Sequence, residues 1–319
     1  MLLPWHDEIR VYVHPQHIVM VLLSGWFKKH VTYKQVLDCP DLLGTLVWQS
    51  VIVTLDKALL SNDWQTAYAA KSQKNIRATV ILSNHFVHYA LVPWQAEQAK
   101  LRPDSDKHHA YLQHCFTRNF GAAAKQWQCR MSDCGMYKPA LASAIDSALL
   151  QDIEAAFTAA NIRIANIHPQ LMVAVNQAKS QITQYLNKKA QTYWLVIVEN
   201  GQSCLLLVED GAWRLVKSMR FDVAAQVNEQ IEPVLQRENA LRGGLDCPIF
   251  FYQTHHFRTD FHNASFKNAS SQNASSQNAS KDLPMLAGRP VIALALNTLH
   301  ASTQMRVEDA FTYQTVLYA

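Results

Sequence analysis

Six side chains able to bind a metal, His108, His109, His114, Cys115, Cys129 and Cys134, fall in one stretch of the sequence. Imidazole and thiolate are the ligands of structural zinc, so a zinc centre is the chemistry they suggest. The spacing opposes it. No C-x-x-C or H-x-x-x-H pair is present, and on the helix predicted there His108 and Cys115 face the core while His114 points elsewhere. They read as buried thiols and surface histidines, and His255-His256 as solvated. Nucleophile and phosphate-loop patterns are absent: the chain has no G-x-S-x-G, no G-x-x-x-x-G-K and no G-x-G-x-x-G. Asp146 and Asp152 lie off the apolar stripe of their predicted helix, so no acid–base pair is set up for catalysis.

The 319 residues suffice for one large or two medium domains. Hydrophobic residues make up 49% and charged residues 17%, which predicts a packed chain with local disorder at most. The net charge of +4 is spread without a Lys/Arg block, which argues against nucleic-acid binding. Six cysteines in a chain of this size fit reduced thiols better than a disulfide framework. The strongest apolar run, Ile18–Leu23, is only strand length, far from the roughly 20 residues of a membrane span. The opening Met-Leu-Leu-Pro-Trp-His-Asp-Glu lacks the pattern of a signal peptide, so a cytosolic location is expected.

The elements that must position any site are organised around Tyr193–Phe221. Two apolar, β-branched runs there are cut by Asn200-Gly201 and Asp210-Gly211, dipeptides that accept the positive φ angles of hairpin turns. The result is a three-stranded meander, with Trp213–Lys217 nearer an edge. A second meander runs through Ile9–Val13, Ile18–Leu23 and Val31–Val36, turned by His14-Pro15-Gln16-His17. Leu42–Leu60 reads as a helix that Asp41 could cap, and Pro103-Asp104-Ser105 opens another. Leu141, Ile145, Leu149, Ile153 and Phe157 recur at steps of four, predicting one helix over Pro139–Ala160. Ile162–Ile167 then reads as a strand, His168-Pro169 as a turn and Leu171–Asn187 as a helix. Val223–Leu241 is helical in pattern, with Pro233 an irregularity and Arg242-Gly243-Gly244 its end. Ala78–Leu82, His85–Val92, Trp127–Met131, Pro248–Tyr252 and Pro290–Leu296 supply further strands. Asn263, Asn268, Asn273 and Asn278 each begin an Asn-Ala-Ser, a five-residue repeat too polar to bury a core, so a flexible low-complexity loop is expected at about 259–282.

The plan is duplicated: a meander at 9–36 with a helix at 42–60 is echoed by the meander at 193–221 with the helix at 223–241. That arrangement resembles the actin-like ATPase superfold, an α/β ribonuclease H-like fold of two βββα-type halves around an interdomain cleft. More narrowly, several stretches look like the PilM and GspL cytoplasmic-domain relatives of type IV pilus and type II secretion assembly. They are Arg10-Val-Tyr-Val-His-Pro-Gln-His-Ile-Val-Met-Val, Val80–Trp94, Ala140–Asn176 with Ile167-His-Pro169, and the meander from Val196. The likeness covers most of residues 6–252 and implies a first half over 1–188 and a second over 189–319.

In that superfold nucleotide phosphates lie between two hairpin turns, each with an acid that helps hold magnesium and a glycine that lets backbone N–H groups approach phosphate. Carried over by position, the second turn becomes Glu199-Asn200-Gly201-Gln202, which keeps both and so supplies the candidate cofactor-binding residues for ATP and magnesium. The first turn, His14-Pro15-Gln16-His17, keeps neither, and Pro15 removes an N–H. Where such proteins receive adenosine on a glycine pair, this chain has Gln253-Thr254-His255-His256, while Gly243-Gly244 reads as helix termination. The resemblance therefore implies a cytoplasmic pseudo-ATPase scaffold with no catalytic or metal residue and no cofactor, docking an inner-membrane pilus or secretion component and peripheral to the membrane through it. The alternative is an ATPase or small-molecule kinase of the same superfold using Glu199 for magnesium; a third reading is shared architecture alone.

Overall fold

The computed structural model describes residues 7–25, 29–40, 46–69, 76–96, 105–132, 137–186, 192–221, 227–253, 285–286 and 289–294. These fall into two compact units, one within Met1–Asp133 and Ala140–Asn176, the other within Cys134–Pro139 and Gln177–Leu296. The junction expected at 188/189 and the Asn-Ala-Ser loop lie outside the described residues.

In the first unit β1 (Glu8–His14), β2 (His17–Ser24) and β3 (His30–Asp38) form the expected meander. Two helices follow, α1 (Val47–Leu59) and α2 (Asn62–Ala69), before β4 (Arg77–Leu82) returns parallel to β1. With β8 (Arg163–Pro169) the sheet order is β3-β2-β1-β4-β8, and β8 runs parallel to β4. Residues of β2 are buried on both faces, which is why its sequence shows no polar alternation. The edge strand β3 alternates exposed and half-buried residues instead. Asp41 lies outside the described residues, and the cap position of α1 is Leu46, whose amide donates to Gln49 Oε1 at 3.1 Å.

A small sheet is inserted after β4. Its strands β5 (Val87–Val92), β6 (Trp127–Met131) and β7 (Ala140–Asp146) run in the order β5-β7-β6, all antiparallel. Between β5 and β6 stands α3 (Asp106–Phe120), with Ser105 Oγ accepting from the His108 amide as its cap. The helix expected over Pro139–Ala160 is thus corrected: β7 takes its first half, and α4 (Ser147–Ala159) begins only after Asp146, whose carboxylate accepts from Ala148 N at 2.8 Å. The central strand β7 is almost wholly buried, and continuous burial erases the period of two that would have marked it as a strand. His168-Pro169 is likewise no turn: both residues finish β8, and α5 (Gln170–Tyr185) starts at once.

The second unit repeats the plan. Strands β9 (Tyr193–Glu199), β10 (Gln202–Glu209) and β11 (Ala212–Arg220) form its meander, α6 (Val227–Leu241) follows, and β12 (Ile249–Gln253) returns parallel to β9. With β14 (Arg289–Ala293) parallel to β12 and the short β13 (Met285–Leu286) beyond it, the order is β11-β10-β9-β12-β14-β13. Third, second, first, fourth is therefore the strand order that opens the sheet of both units, β3-β2-β1-β4 and β11-β10-β9-β12. Ile231 and Leu235 of α6 pack on Val196, Leu205 and Phe251, and a fully buried side chain of this kind contributes about 1.5–3 kcal/mol. Pro233 stays within α6, and the helix ends on Gly243 and Gly244, both left-handed, with Gly244 N donating to Asn239 O at 2.9 Å.

Candidate functional site

The β1–β2 and β9–β10 turns occupy the same place in the two units, and each is a two-residue loop. His14 pairs with His17 across Pro15-Gln16, and Glu199 with Gln202 across Asn200-Gly201. A further bond is shared. The residue after the third strand donates to the carbonyl of the second loop residue, Cys39 to Gln16 at 2.8 Å and Phe221 to Gly201 at 3.1 Å.

Their chemistry differs. In the second unit Gly201 has φ +78°, a left-handed conformation open to glycine at little cost. Asn200 is not left-handed, whereas both residues of the Asp210-Gly211 turn are, at 51° and 67°. Glu199 and Gln202 are buried at 2% and 4% exposure beside Cys204, whose thiol burial pushes up to about 12. In the first unit Pro15 supplies no N–H, and the Gln16 amide is taken by His14 Nδ1 at 3.2 Å.

Around this first turn the fold gathers rings. His14 lies 4.4 Å from His17 and 4.8 Å from His85, and Tyr12 lies 5.6 Å from His17, between ring centroids. His85 follows β4, where Ser83 Oγ sits 2.9 Å from its Nδ1. The strands β1, β4 and β8 end side by side, so their C-terminal ends bring His14, the Ser83–His85 segment and His168 to one edge of the sheet. That edge is where ligands sit in open α/β sheets. The next residue, Asn84, is 1% exposed; its Oδ1 accepts from Leu171 N at 3.0 Å and from Tyr89 Oη at 2.6 Å, tying α5 and β5 to the end of β4. One turn into α5, Val173 packs with Tyr12, Val19 and Ile81.

The described residues among those first weighed for zinc form no metal site. His108 is buried and His114 exposed, while His109 Nε2 accepts from Arg130 Nη1 at 3.3 Å. Burial pushes the Cys129 thiol up to about 12. Cys134 and His255-His256 lie outside the described residues. Among the described residues no group of three His, Cys, Asp or Glu is placed to hold a metal ion. No helix among them is long and apolar enough to cross a membrane.

No family model and no curated protein matches the chain. Among solved structures, a Bacteroides thetaiotaomicron VPI-5482 protein with actin-like ATPase fold and unknown function matches with a TM-score of 0.50 at 7% identity, over 79% of this chain and 83% of that one. The chain has the actin-like ATPase fold. The duplicated α/β class expected from the sequence is the one observed. The PilM–PilN type IV pilus biogenesis complex is similar at a TM-score of 0.49 and 10% identity, over 77% of this chain and 80% of that one. The cytoplasmic domain of EpsL, an inner membrane component of the type II secretion system of Vibrio cholerae, is similar at 0.44 and 8%, over 79% and 83%.

In the actin-like frame the sequence located the two turns but missed the ring cluster. Its only trace in one dimension is the H-x-x-H of His14 and His17; His85 lies far along the chain and joins them only because β4 pairs with β1.

Proposed function

We propose that this chain is an actin-like scaffold of a pilus or type II secretion-like assembly, which docks a segment of an inner-membrane component on its cytoplasmic side and turns over no ATP. The observation that carries the absence of turnover is the first hairpin turn. A phosphate bound there needs backbone N–H donors free to approach it. Pro15 has none, the Gln16 amide is engaged by His14, and histidine rings pack around the loop. The docking role is supported by the stretches Arg10–Val21 and Val80–Trp94, whose sequences resemble the PilM and GspL relatives.

Isothermal titration with ATP and magnesium tests the first part: no heat of binding at millimolar nucleotide is expected. Micromolar binding, with turnover lost in Glu199→Ala, overturns it. Co-purification from membranes tests the second part, with an inner-membrane assembly protein expected and a complex of unrelated soluble enzymes counting against it. One observation favours the second reading, an ATPase or small-molecule kinase: the Glu199–Gln202 turn retains a carboxylate and a left-handed glycine.

A further inference from the structure

The geometry points to a proton-operated switch in the β1–β2 turn of the first unit, with His14 as its sensor. His14 Nδ1 accepts the Gln16 amide at 3.2 Å, the i to i+2 bond that an Asn or Asp side chain makes in an Asx-turn. An imidazole accepts at Nδ1 only while that nitrogen carries no proton, so the bond requires the neutral ring with its proton on Nε2. Protonation places an N–H against the Gln16 N–H, and the turn loses the bond. The Ser83 Oγ contact of His85 carries no such demand, because a hydroxyl donates or accepts as needed. The Gln16 amide can only donate, so this bond ties His14 to its neutral form.

The surroundings move the response to lower pH. His14 and His17 are each 1% exposed with ring centroids 4.4 Å apart, and burial and a like-charged neighbour both disfavour a second cation. The titratable groups brought to the turn are Tyr12 from β1, His17 from β2, the exposed Asp38 and the Cys39 thiol at the end of β3, and His85 after β4; His168 ends β8 on the far side of β4. Movement of Gln16 has a receiver, because its carbonyl holds the Cys39 amide at the end of β3. The proton thus acts on the place where the fold would otherwise present an N–H to phosphate, and it does so whether or not the docking reading holds.

Hydrogen exchange at the Gln16 amide of the full chain tests this. Between about pH 7.5 and pH 4.5, a range carried below the ordinary histidine value because burial and the neighbouring rings disfavour the cation, its protection factor is expected to fall about tenfold. In His14→Asn, which keeps an acceptor at the same place and cannot titrate, it is expected to stay level. Unchanged protection in the native chain, or the same fall in His14→Asn, overturns the switch. Should that variant fail to fold, long-range proton–nitrogen spectra of the native chain decide: Nδ1 of His14 is expected bare at the higher pH, and a protonated Nδ1 there overturns the proposal.

Discussion

The amide of Cys39 donates to the carbonyl oxygen of Gln16 over 2.8 Å, closing the first meander back onto its own first turn. Phe221 and Gly201 repeat the contact in the second unit. The two halves thus share more than strand order. They share the bond that holds each turn against the end of its third strand, while the residues inside the turns have diverged.

That divergence is measurable at Gly201. Its φ of +78° is a conformation that residues bearing a Cβ reach only with strain. Gly201→Val is expected to cost about 1–2 kcal/mol in urea unfolding. Gln16→Gly, at the equivalent place, removes no left-handed requirement and is expected to change stability by less than about 1 kcal/mol.

Asn84 carries more than its size suggests. Replacing it by Ala leaves the Leu171 amide and the Tyr89 hydroxyl without their shared acceptor inside the first unit. Asn84→Ala is expected to lose about 2–3 kcal/mol in chemical denaturation, whereas Tyr89→Phe, which removes one donor and keeps the other bond, is expected to lose about 1 kcal/mol.

Acid stability should report on Glu8. Burial pushes its carboxyl up, but the hydrogen bond and charge of Arg10, at 2.7 Å, with Lys29 beside them, outweigh burial and hold it below 4.5. A carboxyl lowered on folding contributes stability above its unfolded value, and that contribution is lost as pH falls through the folded value. The melting temperature of Arg10→Gln is expected to lie below that of the native chain at about pH 6, and the gap to narrow below about pH 4. A gap that stays constant would remove Glu8 from the explanation.

The thiols should be slow. Burial raises Cys204 to about 12, Cys129 to about 12 and Cys39 to about 11. Reaction with a disulfide reagent at about pH 8 requires thiolate and access. These three are expected to react only after denaturant is added, as peptide mapping of the labelled chain would reveal.

The sequence made the two meanders legible because their strands are bounded by turn chemistry: Pro15 at one, and Asn200-Gly201 and Asp210-Gly211 at the other. It misled at Ala140–Asp146, where Leu141 and Ile145 happen to sit four apart in a strand buried on both faces. Pro139 looked like a helix start, and Asp146, the real cap, looked like a solvated helix residue. The Glu199–Gln202 turn was legible through its acid and glycine. The histidine cluster was not, because strand pairing between β1 and β4 creates the neighbourhood, and pairing partners leave no mark in a single sequence.

Each meander also ends on an outer strand, β3 in one sheet and β11 in the other. Such a strand offers unpaired backbone groups to any passing chain, the usual starting point of amyloid-like growth. Here Lys34 stands exposed on β3, and Arg214, Lys217 and Arg220 on β11. Arg214 is paired with Glu209 at 3.1 Å, which leaves Lys217 and Arg220 to repel a like edge brought alongside, so neutralising those two is expected to lower solubility.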